Sequence, residues 1–348
     1  MRVETVRFRL CASLLCFVLG TLCVQATAQE VIRFPAKGQV PQGYPAQYAA
    51  IIAAAEREGQ LVIQSTTDIG VAAPLIDDFQ ALYPRIDVQY QDMNSNDLYS
   101  GYLGDLLASP TTADVLWSSA MDLQLQLANA GQAQPYDSPE IAAIPQWAVW
   151  KNVAFGTTFE PIVMVYNKRL LAPDEVPHTH ADLTRLLTEK RDRFAGKVVT
   201  YNIERSALGF LLATQDEQAS AEFWPLIRAM SGAGAHLVPT TEAILTRVAK
   251  AEALIGYNAI GSYAFIESKK DAGLGYVYPR DHTLVITRVM LIGKKAANTN
   301  AAKLWVDYVL GQSVRPISLG PDLLAAFSDP TKRLAFLRQW QQAMAMKP

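Results

Sequence analysis

The chain has 348 residues, half of them hydrophobic, with 31 Lys and Arg against 33 Asp and Glu for a formal charge of −2. That balance lacks the basic footprint of a nucleic-acid binder, and the apolar content excludes a disordered chain. The three cysteines, Cys11, Cys16 and Cys23, all fall within the first 28 residues.

Those first residues read as an export signal. Arg2, Arg7 and Arg9 make a basic start, and Leu10 to Val24 is an apolar stretch short for a membrane span. Ala26-Thr27-Ala28, ahead of Gln29, has the small-x-small form of a cleavage site. Leu22 before Cys23 argues against lipid modification, so a soluble exported chain is expected rather than a membrane anchor. Removal of residues 1–28 leaves 320 residues with a charge of −4 and no cysteine. Disulfides, thiolate metal sites and cysteine nucleophiles are then excluded together. That length suits two domains or one two-lobed body.

In chain order, Leu61-Val62-Ile63 reads as a strand running into Gln64-Ser65-Thr66-Thr67-Asp68. Leu75, Ile76, Phe79, Leu82 and Tyr83 then recur at helical spacing up to Pro84. Ile86, Val88 and Tyr90 alternate as a strand. Asn96 and Asp97 are positioned to cap a helix with Leu98, Tyr102, Leu103, Leu106 and Leu107 on one face. Val115-Leu116-Trp117 is the next apolar strand and breaks at Ser118-Ser119. The alternation of Leu123, Leu125 and Leu127 beyond it suits a strand, but the intervening Gln and Ala, and the stop at Asn129 to Gly131, favour a helix.

This strand–helix alternation predicts a mainly parallel sheet covered on both faces. Ligands of such sheets sit beyond the carboxyl ends of the strands, where helix N–H groups point. Ser65 to Asp68 and Ser118-Ser119 lie at two such ends. Helix capping alone calls for one such residue per end; these corners carry more.

A second unit begins near "GTTFEPIVMVYNKRLL", with Ile162 to Val165 as a buried strand. His178 and His180 raise the question of a metal. No further His or Cys lies nearby in sequence, and Thr179 with Asp182 resembles a capping box, so the pair reads as first-turn helix chemistry with no metal. "GKVVTYNIERSALGFLLATQ" repeats the strand, polar corner and helix, with Arg205-Ser206 at the corner; Arg205 adds positive charge where helix amides favour an anion, or forms a surface ion pair. "AEALIGYNAIGSYAF" is another strand, ending in Tyr257-Asn258 before a helix. "YVYPRDHTLVITRVMLIG" reads as long extended chain returning to the first unit, and Ala301 to Leu310 and Asp329 to Ala345 read as helices.

In their order and spacing, "LIDDFQALYPRIDVQY", "ADVLWSSAMDLQ", "FEPIVMVYNKRLL" and "YPRDHTLVI" make the chain resemble the periplasmic solute-binding proteins of ATP-driven importers. The group includes ferric-ion-binding proteins and binding proteins for phosphorylated sugars, phosphoglycerate and phosphonates. The resemblance implies an α/β fold of two lobes, the type II periplasmic-binding fold, with the solute in the cleft and hinged closure. Residues 29–160 plus 276–300 are assigned to lobe 1, 161–275 to lobe 2, and 301–348 to helices packing on the lobes. It also implies a monomer in the periplasm, no cofactor, a small-molecule solute, and a membrane permease or sensor receptor as partner.

Carried over residue by residue, the cleft would take Ser65, Thr66, Thr67, Asp68, Ser118 and Ser119 from one lobe. The other lobe would supply Arg205, Ser206, Tyr257 and Asn258. The positions where ferric-binding members carry iron ligands read Asp68, Ser119 and Asn258-Ala259, with Tyr257 one place early. That set is short of the hard anionic oxygens ferric iron needs. A small anionic solute bearing phosphate, phosphonate or carboxylate is expected instead. An exported hydrolase is the alternative of another class, but no G-x-S-x-G stretch occurs and four histidines leave few general bases.

Overall fold

The computed structural model describes residues 39–312 and 330–345. The expected signal, residues 1–28, and Asp329 lie outside them.

The first lobe grows from the strand–helix alternation of the N-terminal half. Helix α1 (Tyr48–Glu58) ends at Gly59, whose φ of 69° is the left-handed turn that glycine adopts without strain. Strands β1 (Gln60–Ser65), β2 (Asp87–Asp92) and β3 (Val115–Ser118) pair in parallel, with Ile63 between Tyr90 and Val115. Helices α2 (Ile69–Leu82), α3 (Ser95–Ala108) and α4 (Met121–Asn129) follow them in turn. Four more strands complete the sheet: β4 (Ala133–Gln134), β5 (Val149–Trp150), β6 (Ala154–Gly156) and β13 (Val289–Gly293). The order is β2-β1-β3-β13-β6-β5, with β4 also on β13.

The second sheet runs β11 (Leu274–Val277), β7 (Glu160–Asn167), β10 (Ile255–Ile260), β8 (Val198–Tyr201), β9 (His236–Val238). The two-residue β12 (Val285–Ile286) also pairs with β7. Around it lie α5 (His180–Glu189), α6 (Arg191–Phe194), α7 (Ala207–Ala219), α8 (Phe223–Gly232), α9 (Thr241–Ala249) and α10 (Gly261–Lys270). Helix α11 (Thr299–Gln312) packs on α1, and the last helix, Pro330–Ala345, packs on α8.

Two local expectations change, and the helix favoured for the alternating leucines is found. The sheets are mixed rather than mainly parallel, because β13 arrives from the second lobe and pairs antiparallel with β3, β4 and β6, while β7 runs antiparallel to β10, β11 and β12. The extended stretch 276–293 is therefore three short strands in two sheets. Helix α3 is capped by Asn94, whose Oδ1 accepts from the amides of Asn96 and Asp97, two residues before the expected cap. The alternating leucines belong to a helix, since α4 buries Met121 to Leu125 and Leu127. A helix covered on most of its circumference has no single apolar stripe, so its sequence lost the 3.6-residue period.

The first-lobe core centres on Trp305 of α11, which meets Phe79 of α2 edge-on at 5.1 Å and Trp117 of β3 at 6.4 Å. Behind it Asp307 is fully buried and accepts hydrogen bonds from the hydroxyls of Tyr48, Tyr136 and Ser138. Burial outweighs those donors and pushes its carboxyl up to about 6. With the folded value above the unfolded 3.8, this group's stabilisation is complete below 3.8 and is lost as pH rises through about 6. Thermal melts of the natural chain and of Asp307→Asn across this range should therefore show the difference, natural minus variant, falling as pH rises. A difference that stays constant with pH contradicts the assignment.

Candidate functional site

The cleft is built from strand ends. The polar corners after β1, β2, β3, β8, β9 and β10 all border one cavity of about 250 Å³. They contribute Thr66 and Asp68, Asp92 to Ser95, Ser119, Ser206, Pro239 to Glu242, and Ile260. Helices α2, α3, α4, α7, α9 and α10 begin at these corners, so their positive N-terminal ends face the same space. Gly209 permits one close approach: a Cβ there would lie 2.5 Å from the Cβ of Tyr201, so a side chain would push the start of α7 away from the end of β8.

Side chains satisfy several of the helix-start amides. The Oγ of Ser206 accepts from Gly209 N–H at 3.1 Å, and Oγ1 of Thr240 accepts from Ala243 N–H at 3.2 Å. Asp92 accepts from Ile69 N–H at 2.9 Å. One cap crosses between the lobes: Ser95, at the start of α3, accepts from the amides of Ala207 and Leu208 in α7 at 3.0 and 3.4 Å. Between β1 and β3, Thr66 Oγ1 accepts from Ser119 N–H at 3.0 Å and lies 3.2 Å from Ser119 Oγ.

The cleft's guanidinium is Arg288, which sequence reading assigned no role. It is 3 % exposed, and its Nε donates to Glu160 Oε1 at 2.9 Å while Nη1 donates to the Thr66 carbonyl at 3.2 Å. Nη2, buried as well, has no hydrogen-bond partner among the described residues. Tyr263 lies under the group, 5.5 Å from ring centroid to guanidinium carbon. Burial opposes the charge, but Glu160, then Tyr263 and Tyr90, more than offset it, and the pKa is raised. Tyr263 Oη accepts from Asp68 N–H at 3.1 Å, and its own pKa is raised, by burial first, against the lowering field of Arg288.

Of the ten sequence-predicted site residues, Thr66, Asp68, Ser119 and Ser206 line the cleft. The other six do not, each for a local reason. Ser65 and Ser118 are buried, their hydroxyls accepting from Thr67 N–H at 3.0 Å and Ala120 N–H at 3.1 Å. Thr67 is buried and offers its carbonyl to Tyr90. Arg205 is exposed on the turn before α7. Tyr257 and Asn258 turn into the second lobe, where both donate to Asp216 Oδ2, at 2.7 and 2.6 Å. Asn258 has a φ of 64° at the bulge in β10, and that backbone turn carries its side chain to Asp216.

Residues 64–315 match the family model described as bacterial extracellular solute-binding protein. The chain belongs to this family. It is similar to the substrate-binding protein of an ABC transporter from Agrobacterium tumefaciens, at 32 % identity over 82 % of this chain and 94 % of that one, with a TM-score of 0.77. It shares its fold with AfuA from Actinobacillus pleuropneumoniae, solved with fructose-6-phosphate, at 18 % identity over 83 % and 99 % of the two chains (TM-score 0.68). The same holds for iron-bound HitA from Pseudomonas aeruginosa, at 16 % identity over 82 % and 99 % (TM-score 0.61). No curated protein matches the chain. The family is one of binding proteins that serve ABC transporters, which agrees with the expected type II fold. Among the described residues, no helix is long and apolar enough to cross a membrane.

The pair of Glu160 and Arg288 has a measurable consequence. Glu160 is also held by the hydroxyls of Thr158 and Ser262, at 2.8 and 2.7 Å, and is 4 % exposed. Arg288→Ala strands that buried carboxylate and should cost about 3–5 kcal/mol in urea unfolding. Combining Arg288→Met with Glu160→Gln should recover most of the loss; a double variant as unstable as Arg288→Ala would contradict the pairing.

Proposed function

We propose that this protein captures a small solute bearing an anionic group together with a hydroxyl or amino group, and delivers it to an ABC-type permease in the periplasm. The observation that carries the reading is the unpartnered Nη2 of Arg288 beside a cavity ringed by helix N-termini. A buried guanidinium donor left unused costs free energy that an acceptor oxygen recovers. A phosphate, phosphonate or carboxylate supplies such oxygens, and helix amides and hydroxyls complete its shell.

Asp68 sets the second requirement. It lines the same cleft, and a carboxylate beside an anion is unfavourable unless a hydroxyl or amine lies between them. The solute therefore presents its acidic end to Arg288 and a donor to Asp68. The fructose-6-phosphate seen in AfuA has this combination of groups. The cation of the cleft is Arg288; Arg205, once expected in that role, stands on the surface.

Protein isolated from its own host and then denatured should release such a compound, identifiable by mass spectrometry. In calorimetry with that compound, Arg288→Lys keeps a charge opposite Glu160 but loses the forked donors, and should weaken binding by about 1.5–3 kcal/mol, ten- to a hundred-fold. Ser119→Ala should cost about 0.5–1.5 kcal/mol. Arg205→Ala should leave affinity within about twofold, as expected of an exposed charge. Unchanged affinity in Arg288→Lys removes the anion reading.

Ferric iron is a poorer occupant. Tyr257, the phenol expected nearest an iron position, is engaged with Asp216 instead. Ferric citrate added to solute-free protein should give no phenolate-to-iron colour. A stoichiometric coloured complex would reverse the assignment.

A further inference from the structure

We propose that His180, His282 and Asp281, backed by Asp216, form a binding site in the second lobe for one divalent transition-metal ion of the zinc, nickel or copper type, apart from the solute cleft. The histidine pair considered from sequence, His178 and His180, lacked partners within reach along the chain. The fold supplies them from about a hundred residues away. His180 at the start of α5 meets His282 and Asp281 of the segment between β11 and β12, and donor atoms of the three lie within 4.8 Å of one another.

The surroundings resemble the orienting shell of a metal site. Asp281 Oδ1 lies 2.9 Å from His180 Nδ1, and its Oδ2 accepts from His180 N–H at 2.8 Å, so the ring is held with Nε2 as its available donor. Asp216 Oδ1 is 3.0 Å from His282 Nε2 and 3.9 Å from His180 Nε2. Its other oxygen is fixed by Tyr257 and Asn258, and the carboxylate side chain is only 2 % exposed. Two imidazoles with carboxylates suit borderline metals; calcium and magnesium demand shells of oxygen alone. Two carboxylates also balance the ion's two positive charges.

Entry is open from one side. The side chains of His282 and Asp281 are 18 % and 29 % exposed, against 5 % for His180. The two rings lie stacked at 4.0 Å and nearly parallel, at 6°. Binding replaces the Nε2 proton of His282, which leaves to water, and the more exposed His282 ring turns to bring its lone pair onto the ion. The segment so tied leads through β12 to Arg288, so the ion would stiffen the strand that enters the cleft. The inference stands independently of the solute reading.

The test uses mature protein stripped with chelator and dialysed. Cobalt(II) serves as the visible probe, zinc as the competitor in calorimetry, and circular dichroism checks each variant's fold. The expected result is one ion per chain, a ligand-field band lost on adding zinc, and a melting temperature that rises with zinc concentration. His282→Gln keeps an amide able to donate to Asp216 and should weaken zinc at least about tenfold; Asp281→Asn, should the first variant misfold, should weaken it about ten- to a hundred-fold. Asp68→Asn in the cleft should leave zinc affinity unchanged. Absence of the cobalt band in the natural chain, equal zinc affinity in the folded variants, or loss of binding in Asp68→Asn would overturn the proposal.

Discussion

The buried ion pair between Glu160 and Arg288 is the interaction on which the two-lobed arrangement turns. Among the described residues the chain crosses between the sheets twice, from β6 to β7 through residues 157–159 and from β12 to β13 through residues 287–288. The crossings run side by side. Thr157 N–H donates to the Arg288 carbonyl at 2.9 Å, Arg288 N–H donates to Thr158 Oγ1 at 2.9 Å, and Thr158 N–H donates to Thr287 Oγ1 at 3.1 Å. The ion pair between Arg288 on one crossing and Glu160, the first residue of β7, closes the ladder. Arg288 also reaches the Thr66 carbonyl at the end of β1, so this one side chain ties the crossings to the first lobe. The crossings and the floor of the cleft are thus one piece of covalent structure.

Around that floor, the helix starts explain the composition of the cleft. Each helix that opens there has amides without intrahelical partners, and the residues that satisfy them are small and oxygen-bearing. The two serines at the end of β3 divide the work: Ser118 turns inward to hold the next turn of backbone, and Ser119 faces the cleft beside Thr66. The cap from Ser95 to α7 joins the lobes directly. A hydrogen bond of that kind stabilises the arrangement by about 1 kcal/mol.

The second-lobe cluster around Asp216 shows how a mistaken site assignment and a missed one share a cause. Tyr257 and Asn258 end a run of apolar residues just as Ser118 and Ser119 do, and along the chain the two corners look alike. The bulge between Gly256 and Ala259 gives Asn258 a positive φ, and β10 continues to Ile260 before its helix starts. The polar pair therefore lies inside the strand and beneath α7, where a buried carboxylate requires donors.

What the sequence determined by itself is what local physics encodes: the apolar runs of the strands, the helix after each polar corner and the family likeness. From these came the two-lobed α/β architecture and four of the cleft residues, Thr66, Asp68, Ser119 and Ser206. The corners "DMNSND" after β2 and "VPTTEA" after β9 carried the same strand–polar–helix signal and were legible in principle. Only the tertiary structure decided the rest. Arg288 is one basic residue in an apolar stretch, and its partner Glu160 lies 128 positions away; His180 and His282 are 102 positions apart. Contacts made by crossing strands leave no periodicity in either segment, because they depend on how two sheets are joined and not on the residues that flank them.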